Sequence, residues 1–144
     1  MAGNVIFRGP IEKQPRTVDK PLAAALLPGV FVEETATQLA LITTAIAKRP
    51  LLLSNRDFYG QDITTAYASG ETGAAYELEP GMVVQARVAA ATYTLNQPLT
   101  IGASGYLVAA TAATIVVALF NDVPGAKTAG SLNDVIIANS YNAA

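Results

Sequence analysis

The second half of the sequence is divided into short runs in which apolar and polar residues alternate, and turn residues separate these runs. The clearest run, residues 82–88, follows Pro80-Gly81 and places its apolar residues on one face, with Gln85 and Arg87 on the opposite face. A period of two residues is that of a β-strand, whose successive side chains point to opposite sides. This pattern restricts the chain to short strands and predicts an all-β fold.

Similar runs predict further strands at residues 30–32, 51–53, 76–79, 93–95 and 99–101. Residues 38–46 fit either a helical face or a strand, and their β-branched residues favour the strand. Two late runs, residues 115–120 and 135–138, are apolar on both faces. We expect one face of each to pack on the core and the other to meet another subunit. Short strands at this spacing predict a small β-barrel or sandwich.

The first 28 residues differ from the rest of the chain. They hold four of the eight prolines and four basic residues against two acidic ones, so this segment has a net charge of +2. Prolines at this density disfavour helices and central strands and leave extended backbone. We therefore divide the chain into an extended, Pro-rich, basic arm at residues 1–28 and a single β domain at residues 29–144. A disordered tail is the alternative, but the apolar residues Val5, Ile6, Phe7 and Ile11 count against it.

Side chains that catalysis commonly uses are missing, because the 144 residues include no His and no Cys. Ser-His-Asp and Cys-His catalysis, thiolate zinc sites and thiol redox chemistry are therefore excluded. We expect a protein that is not an enzyme and holds no metal or cofactor. The 9 basic residues against 11 acidic ones also disfavour nucleic acid as a partner.

The chain carries little charge for its size. Charged residues make up 14% of the sequence and hydrophobic residues 51%, whereas an average domain has about 25% charged residues. We expect much of the surface to be covered by copies of the chain or by a partner; the alternative is an ordinary Ala-rich monomer. No secretory signal is recognised in the first residues, and the apolar run 109–120 is shorter than the ~20 residues of a membrane-spanning helix.

Residues that invite a chemical role have simpler interpretations. Glu77 and Glu79 lie on one strand face, where paired carboxylates can serve glycoside hydrolysis, but alternating polar residues are typical of any half-exposed strand. The acidic segments 121–125 and 133–134 lack the ligand pattern of a calcium loop and predict turns. Residues 102–105 predict a hairpin turn rather than a phosphate loop. The six tyrosines leave a sugar-stacking surface open as an alternative.

Two passages carry a resemblance to a known family. The passages DKPLAAALLPGVFV (residues 19–32) and YTLNQPLTIGASGYL (residues 93–107) resemble the N-terminal passage and a core hairpin of small head decoration (cement) proteins of tailed bacteriophages. Asn96 stands where a turn glycine is often found in that hairpin. The resemblance implies a small β-barrel or sandwich core, β-tulip-like, with an extended N-terminal arm.

The resemblance also implies a structural function. Such proteins bind the outer surface of the phage head as trimers or sometimes dimers, and they stabilise the lattice of the major capsid protein. The implied location is the virion surface, after synthesis in the host cytoplasm. Tail or connector subunits and carbohydrate-binding β modules remain the alternatives.

Candidate contact residues follow from the arm and from the two late apolar runs. The arm residues expected to contact the major capsid protein are Phe7, Arg8, Ile11, Lys13, Arg16 and Lys20. The residues expected to mediate self-association are Ile115, Val117, Leu119, Val135 and Ile137.

Overall fold

The computed structural model describes residues 5–44, 49–56 and 59–142, and within them the chain forms thirteen β-strands and a 3₁₀ turn at Ala103–Gly105. The strands are β1 Phe7–Gly9, β2 Thr17–Pro21, β3 Phe31–Glu34, β4 Leu39–Leu41, β5 Leu51–Ser54, β6 Thr72–Glu77, β7 Val83–Val88, β8 Ala91–Tyr93, β9 Pro98–Ile101, β10 Leu107–Ala109, β11 Ile115–Phe120, β12 Gly125–Lys127 and β13 Ser131–Asn142. The all-β prediction is confirmed. Among the described residues, no helix has the length and apolar character needed to cross a membrane.

Five strands close into a ring, which we call the main barrel, in the order β7, β10, β9, β11, β13 and back to β7. Four of the five strand pairs are antiparallel, and the pair of β10 with β7, through Leu107 and Val88, is parallel. A ring with an odd number of strands cannot alternate direction throughout, so at least one parallel pair is unavoidable. Closure pairs the strands on both sides and protects their edges.

The remaining large sheet, which we call the second sheet, is nearly closed as well. Its strands are hydrogen-bonded in the order β2, β6, β5, β3 and β4, each pair antiparallel. A parallel bridge between Leu22 and Leu39 joins the two ends, where the Ala23 N–H donates to the Leu39 carbonyl at 2.9 Å. The second sheet, like the main barrel, therefore has five strands that are antiparallel except at one parallel contact.

The described part of the N-terminal segment is extended, as predicted, but it completes both sheets. In the main barrel β1 pairs with β7, with Phe7 opposite Val84, and in the second sheet β2 pairs with β6 over five residues. Ile6 and Leu22 are buried, one in each core. Residues 5–28 are thus packed into the β body rather than standing apart from residues 29–142.

Two apolar cores lie on either side of β3 and β5. Phe31 and Leu52 belong to the main-barrel core, whereas Val32, Leu51 and Leu53 belong to the core of the second sheet. Because successive side chains of a strand point to opposite sides, both faces of these strands are buried. Because β5 lies between the two cores, residues 51–53 are all apolar and do not alternate with polar residues.

The strand β7 is buried on both faces, which its sequence pattern does not predict. Its apolar residues line the main-barrel core as expected, but Gln85 and Arg87 are 1% and 7% exposed. The N-terminal segment covers this opposite face: the Gln85 side-chain amide donates to the Val5 carbonyl and Arg87 Nε donates to the Pro28 carbonyl. Burial of the polar face is therefore a tertiary effect.

Turn residues behave as the sequence indicates. Asn96 adopts a φ of +65°, the left-handed region that glycine favours and that Asn tolerates better than most residues. Residues 102–105 connect β9 to β10, which pair antiparallel, so the predicted hairpin is confirmed. The strand 38–46 is present as Leu39–Leu41, and residues 45–48 lie outside the described part of the chain. A separate two-stranded ribbon pairs β8 with β12.

Candidate functional site

The loop of residues 10–16, which we call the β1–β2 loop, connects the main barrel to the second sheet. The Lys13 N–H donates to the Pro10 carbonyl at 3.1 Å, and the Gln14 side-chain amide donates to the Ile11 carbonyl at 3.3 Å. These bonds fold the start of the loop into a turn. Since both ends of the loop continue into paired strands, its position relative to the body is fixed.

This loop exposes three of the six residues expected to contact a capsid partner. The side chain of Ile11 is 81% exposed, and those of Lys13 and Arg16 are 69% and 89% exposed. Lys13 lies 4.0 Å from Glu79 and Arg16 lies 3.4 Å from Glu77, and exposed pairs of this kind stabilise a fold by only about 0–1 kcal/mol. The three exposed side chains lie on one loop, together with the exposed carboxylate of Glu12.

The other three residues of the proposed contact set are engaged within the fold. Phe7 packs edge-on against Tyr76 with ring centroids 6.2 Å apart. Arg8 lies 3.5 Å from Asp134, and Lys20 contacts Glu34 at 2.8 Å. The structure therefore separates them from the exposed part of the loop, because each contacts a side chain on another strand.

A chain of alternating charges covers one end of the second sheet. Arg16 contacts Glu77, Glu77 contacts Arg49, Arg49 contacts Glu34 at 2.8 Å, and Glu34 contacts Lys20. Lys20 and Glu34 each lie two positions from a core residue of the second sheet, so they share its inward face. The hydrogen bond and charge of Lys20, together with Arg49, hold the pKa of Glu34 below its ordinary range.

Most residues expected to mediate self-association lie inside the single chain. Val117, Val135 and Ile137 belong to the main-barrel core, so this part of the expectation is corrected: their apolar side chains already pack within the monomer. A shift in register between Val116 and Ala118 changes which residues of β11 face inward. Ile115 is partly exposed but packs against the same core, whereas Leu119 is partly exposed and belongs to neither core.

The outer surface of the main barrel is poor in charge. From residue 88 to residue 142, the charged residues are Asp122, Lys127 and Asp134. All three line one groove together with Arg8, so the other described side chains between residues 88 and 139 carry no charge. Burial raises the pKa of Asp134, and the nearby Asp122 raises it further while Arg8 opposes the shift.

Arg87 is a buried cation whose partners are backbone carbonyls. Its guanidinium donates to the carbonyls of Pro28, Gly130 and Ile63, each at 2.7 Å. Burial lowers the pKa of Arg87 from its ordinary value. Sequence reasoning does not find this role, because three distant loops supply the acceptors and alternation alone places Arg87 at the surface.

The acidic residues considered for catalysis or metal binding have structural partners. Glu77 pairs with Arg16 and Arg49, whereas Glu79 lies near Lys13. Asp122 accepts hydrogen bonds from the backbone N–H groups of Val123 and Asp134, and residues 121–124 connect β11 to β12 as the predicted turn. The turn predicted at residues 133–134 is wrong, because these residues lie within β13 and pair with β7. Among the described residues, no group of three Asp or Glu side chains is arranged to hold a metal ion.

The tyrosines do not form one platform. Tyr67 and Tyr93 are buried, Tyr76 and Tyr106 are partly buried, and the side chain of Tyr141 lies outside the described part of the structure. Tyr59 is 72% exposed and lies beside Arg56, whose guanidinium carbon is 5.3 Å from the ring centroid. Sequence reasoning does not single out Arg56, because a lone Arg between two strands belongs to no motif.

No family model matches this chain, and no curated protein matches it.

Proposed function

We propose that this chain is a structural virion protein that binds the outer surface of a tailed-phage head as an oligomer and stabilises the lattice of the major capsid protein. The observation that carries the proposal is the β1–β2 loop between the two sheets, in which Ile11 is 81% exposed and is followed by the exposed Glu12, Lys13 and Arg16. Because a lone exposed apolar side chain is ordinary on a protein surface, the proposal assigns Ile11 to the contact together with Lys13 and Arg16.

The loop suits attachment to an acidic, partly apolar surface. Ile11 would enter an apolar depression of the major capsid protein, while Lys13 and Arg16 would face its carboxylates. Because the loop is anchored at both ends, little conformational entropy is lost when it binds. Positive charge at the rim of such a contact chiefly speeds association and selects the partner.

The uncharged surface of the main barrel supports self-association. The three charged residues between positions 88 and 142 line one groove, and Leu119 lies partly exposed on β11. Covering an uncharged surface removes apolar area from water without burying unpaired charge. A trimer is the favoured arrangement and a dimer the alternative. Several loops on one oligomer would then engage the lattice together, and their weak contacts would combine through avidity.

Binding of this chain would stabilise the lattice because binding and lattice assembly are thermodynamically linked. A protein that binds the assembled lattice but not its separated subunits shifts the equilibrium towards the assembled form. The free energy by which binding stabilises the lattice cannot exceed the difference between the binding free energies for the assembled lattice and for the separated subunits.

Copy number tests this function most directly. Quantitative mass spectrometry of purified particles should find this chain in a ratio to the major capsid protein near one, or near a simple fraction of it. A handful of copies per particle would instead indicate a tail or connector subunit, and absence from particles would overturn the virion proposal.

Attachment through the loop is tested by cosedimentation of the purified chain with particles that lack it. The substitution Ile11→Asp should reduce binding at least about tenfold, since a carboxylate replaces the apolar anchor. Ala36→Asp places the same charge on an exposed turn of the second sheet and serves as the matched control. Equal binding by the two variants would exclude the loop as the contact.

A further inference from the structure

A groove of about 490 Å³ crosses the outer side of the second sheet, within the roughly 300–1,000 Å³ range of small-molecule sites. Its floor is formed by β2 and β6, where Asp19 lies opposite Ala74 and Pro21 lies opposite Thr72. Thr17, Asp19 and Thr72 are exposed and line the groove. The floor therefore offers a carboxylate and two hydroxyls to a ligand.

One wall of the groove is an aromatic ring positioned by an arginine. The guanidinium carbon of Arg56 lies 5.3 Å from the centroid of Tyr59 and 5.2 Å from that of Tyr67, so the cation contacts both rings. Tyr67 is buried and its hydroxyl donates to the Ser54 carbonyl. This buried ring fixes Arg56, and Arg56 in turn holds the exposed Tyr59 ring beside the groove.

The position of Arg56 leaves one of its buried hydrogen-bond donors unsatisfied, which lowers the stability of the fold. Its Nε is buried and has no hydrogen-bond partner among the described residues. A buried donor left unsatisfied costs about 1–3 kcal/mol, which the fold could avoid with a different side chain here. The contacts of Arg56 with Glu71 and with the buried Tyr67 ring offset this cost, and they keep the guanidinium stacked on the exposed ring of Tyr59.

The charges around the groove select the class of ligand. Arg56 contacts Glu71 at 2.5 Å, and the Ala68 N–H and Arg56 hold the pKa of Glu71 below its ordinary range, so the pair is internally neutralised. Asp19 adds a further negative charge to the floor. An anionic ligand would be repelled, whereas a neutral ligand rich in hydroxyl groups would find acceptors and donors.

We propose that this groove binds a neutral saccharide, with the ring of Tyr59 packed against the apolar face of a sugar ring and the Asp19 carboxylate accepting from its hydroxyls. A sugar ring has one face of C–H groups and a polar rim, which matches an aromatic wall beside a carboxylate and two threonine hydroxyls. The proposal concerns the free chain and does not depend on the capsid role.

The test is a titration of ¹⁵N-labelled protein with maltotriose, cellotriose, triacetylchitotriose and lactose, each to about 10 mM, followed by NMR shifts. At least one neutral sugar should bind and shift the resonances of groove residues. Sialyllactose, which adds a carboxylate to lactose, should bind more weakly than lactose. Failure of every neutral sugar to bind, or tighter binding of sialyllactose, would overturn the proposal.

Two variants locate the site. Tyr59→Ala and Asp19→Asn should each weaken binding by about tenfold, since they remove the stacking ring and the charged acceptor. Both side chains are exposed, so the fold should be retained in each variant. Leu95→Ala removes an exposed apolar side chain that does not line the groove and should bind as the native chain does. Undiminished binding by both groove variants would show that the sugar binds elsewhere and would refute the assignment.

Discussion

Gly29 lies directly against the side chain of Arg87. The Arg87 N–H donates to the Gly29 carbonyl at 2.9 Å, and a Cβ added to Gly29 would come within 3.3 Å of Arg87 Cγ and 2.7 Å of Leu132 Cδ2. Gly29 also has a φ of +94°, where side chains are strained. Glycine at this position lets the N-terminal segment approach β7 closely enough for Arg87 to reach the Pro28 carbonyl at 2.7 Å.

The first prediction is that Gly29→Ala lowers the free energy of unfolding by about 2–4 kcal/mol, because backbone strain adds to overpacking. Gly81→Ala is the matched control: Gly81 has a φ of +92° but no atom within 4 Å of an added Cβ. The control should cost about 1–2 kcal/mol, from backbone strain alone. Urea unfolding of both variants measures the difference, and equal costs would contradict the close contact.

The second prediction concerns the guanidinium of Arg87. Arg87→Lys keeps the charge but cannot donate to three carbonyls in fixed directions, so we expect a loss of about 2–4 kcal/mol in the free energy of unfolding. Arg16→Lys, at a side chain that is 89% exposed, should change stability by less than about 0.5 kcal/mol. Chemical denaturation gives both values. An Arg87→Lys variant as stable as the native chain would show that the three hydrogen bonds contribute nothing.

In β7, the sequence predicts the strand and its inward face but not the burial of its second face. Alternation predicts the strand and its inward face, and Val84, Ala86 and Val88 are fully buried in the main-barrel core. It fails for Gln85 and Arg87, because their burial depends on residues 5–29 lying across the strand. A periodic pattern describes one strand at a time and carries no information on what covers its second face.

The same limit applies to the candidate sites. The basic and apolar residues of the N-terminal segment could be singled out from the sequence, but their division into exposed and engaged side chains required the positions of Tyr76, Asp134 and Glu34. On β11, the register shift between Val116 and Ala118 accompanies an inward Val117, whereas Leu119 stays partly exposed as expected. The saccharide groove combines residues from β2, β6 and the segment after β5, which no local motif connects.

The third prediction compares two isoleucines of the N-terminal segment. Ile6 is 1% exposed in the main-barrel core, so Ile6→Ala should lower the free energy of unfolding by about 2–5 kcal/mol. Ile11→Ala, in the exposed loop, should change it by less than about 0.5 kcal/mol. Thermal and urea unfolding measure the free energy of unfolding of both variants.

Deletion of residues 1–20 should prevent cooperative folding, because it removes β1 and most of β2. A truncated chain that unfolds cooperatively would restore the division at residue 28.

The fourth prediction separates core from surface on β13. Ile137 lies in the main-barrel core, so Ile137→Asp should abolish the β signal in circular dichroism by burying an unpaired carboxylate. Its neighbour Ile136 is partly exposed on the opposite face, and Ile136→Asp should retain the signal. Light scattering on the Ile136→Asp variant then reports whether this face joins copies of the chain. A folded Ile137→Asp variant would place that side chain at an interface instead.

The fifth prediction concerns acid stability. Lys20 and Arg49 lower the pKa of Glu34 from its ordinary 4.5, so the folded state favours the ionised carboxylate. The resulting stabilisation is complete above pH 4.5 and is lost as the pH falls through the lower pKa of the folded state. Burial raises the pKa of Asp134, so that group contributes with the opposite sign and stabilises on protonation.

Glu34→Gln isolates the contribution of this carboxylate. Urea unfolding of the native chain and the variant, from neutral to acidic pH, should show the variant less stable at neutral pH and the gap closing as Glu34 is protonated. Glu12→Gln, at an exposed residue of the β1–β2 loop, provides the control for removing one negative charge. The difference in free energy of unfolding between the native chain and the Glu34→Gln variant could also stay constant as the pH falls. That result would show that the ion pairs with Lys20 and Arg49 do not couple folding to protonation.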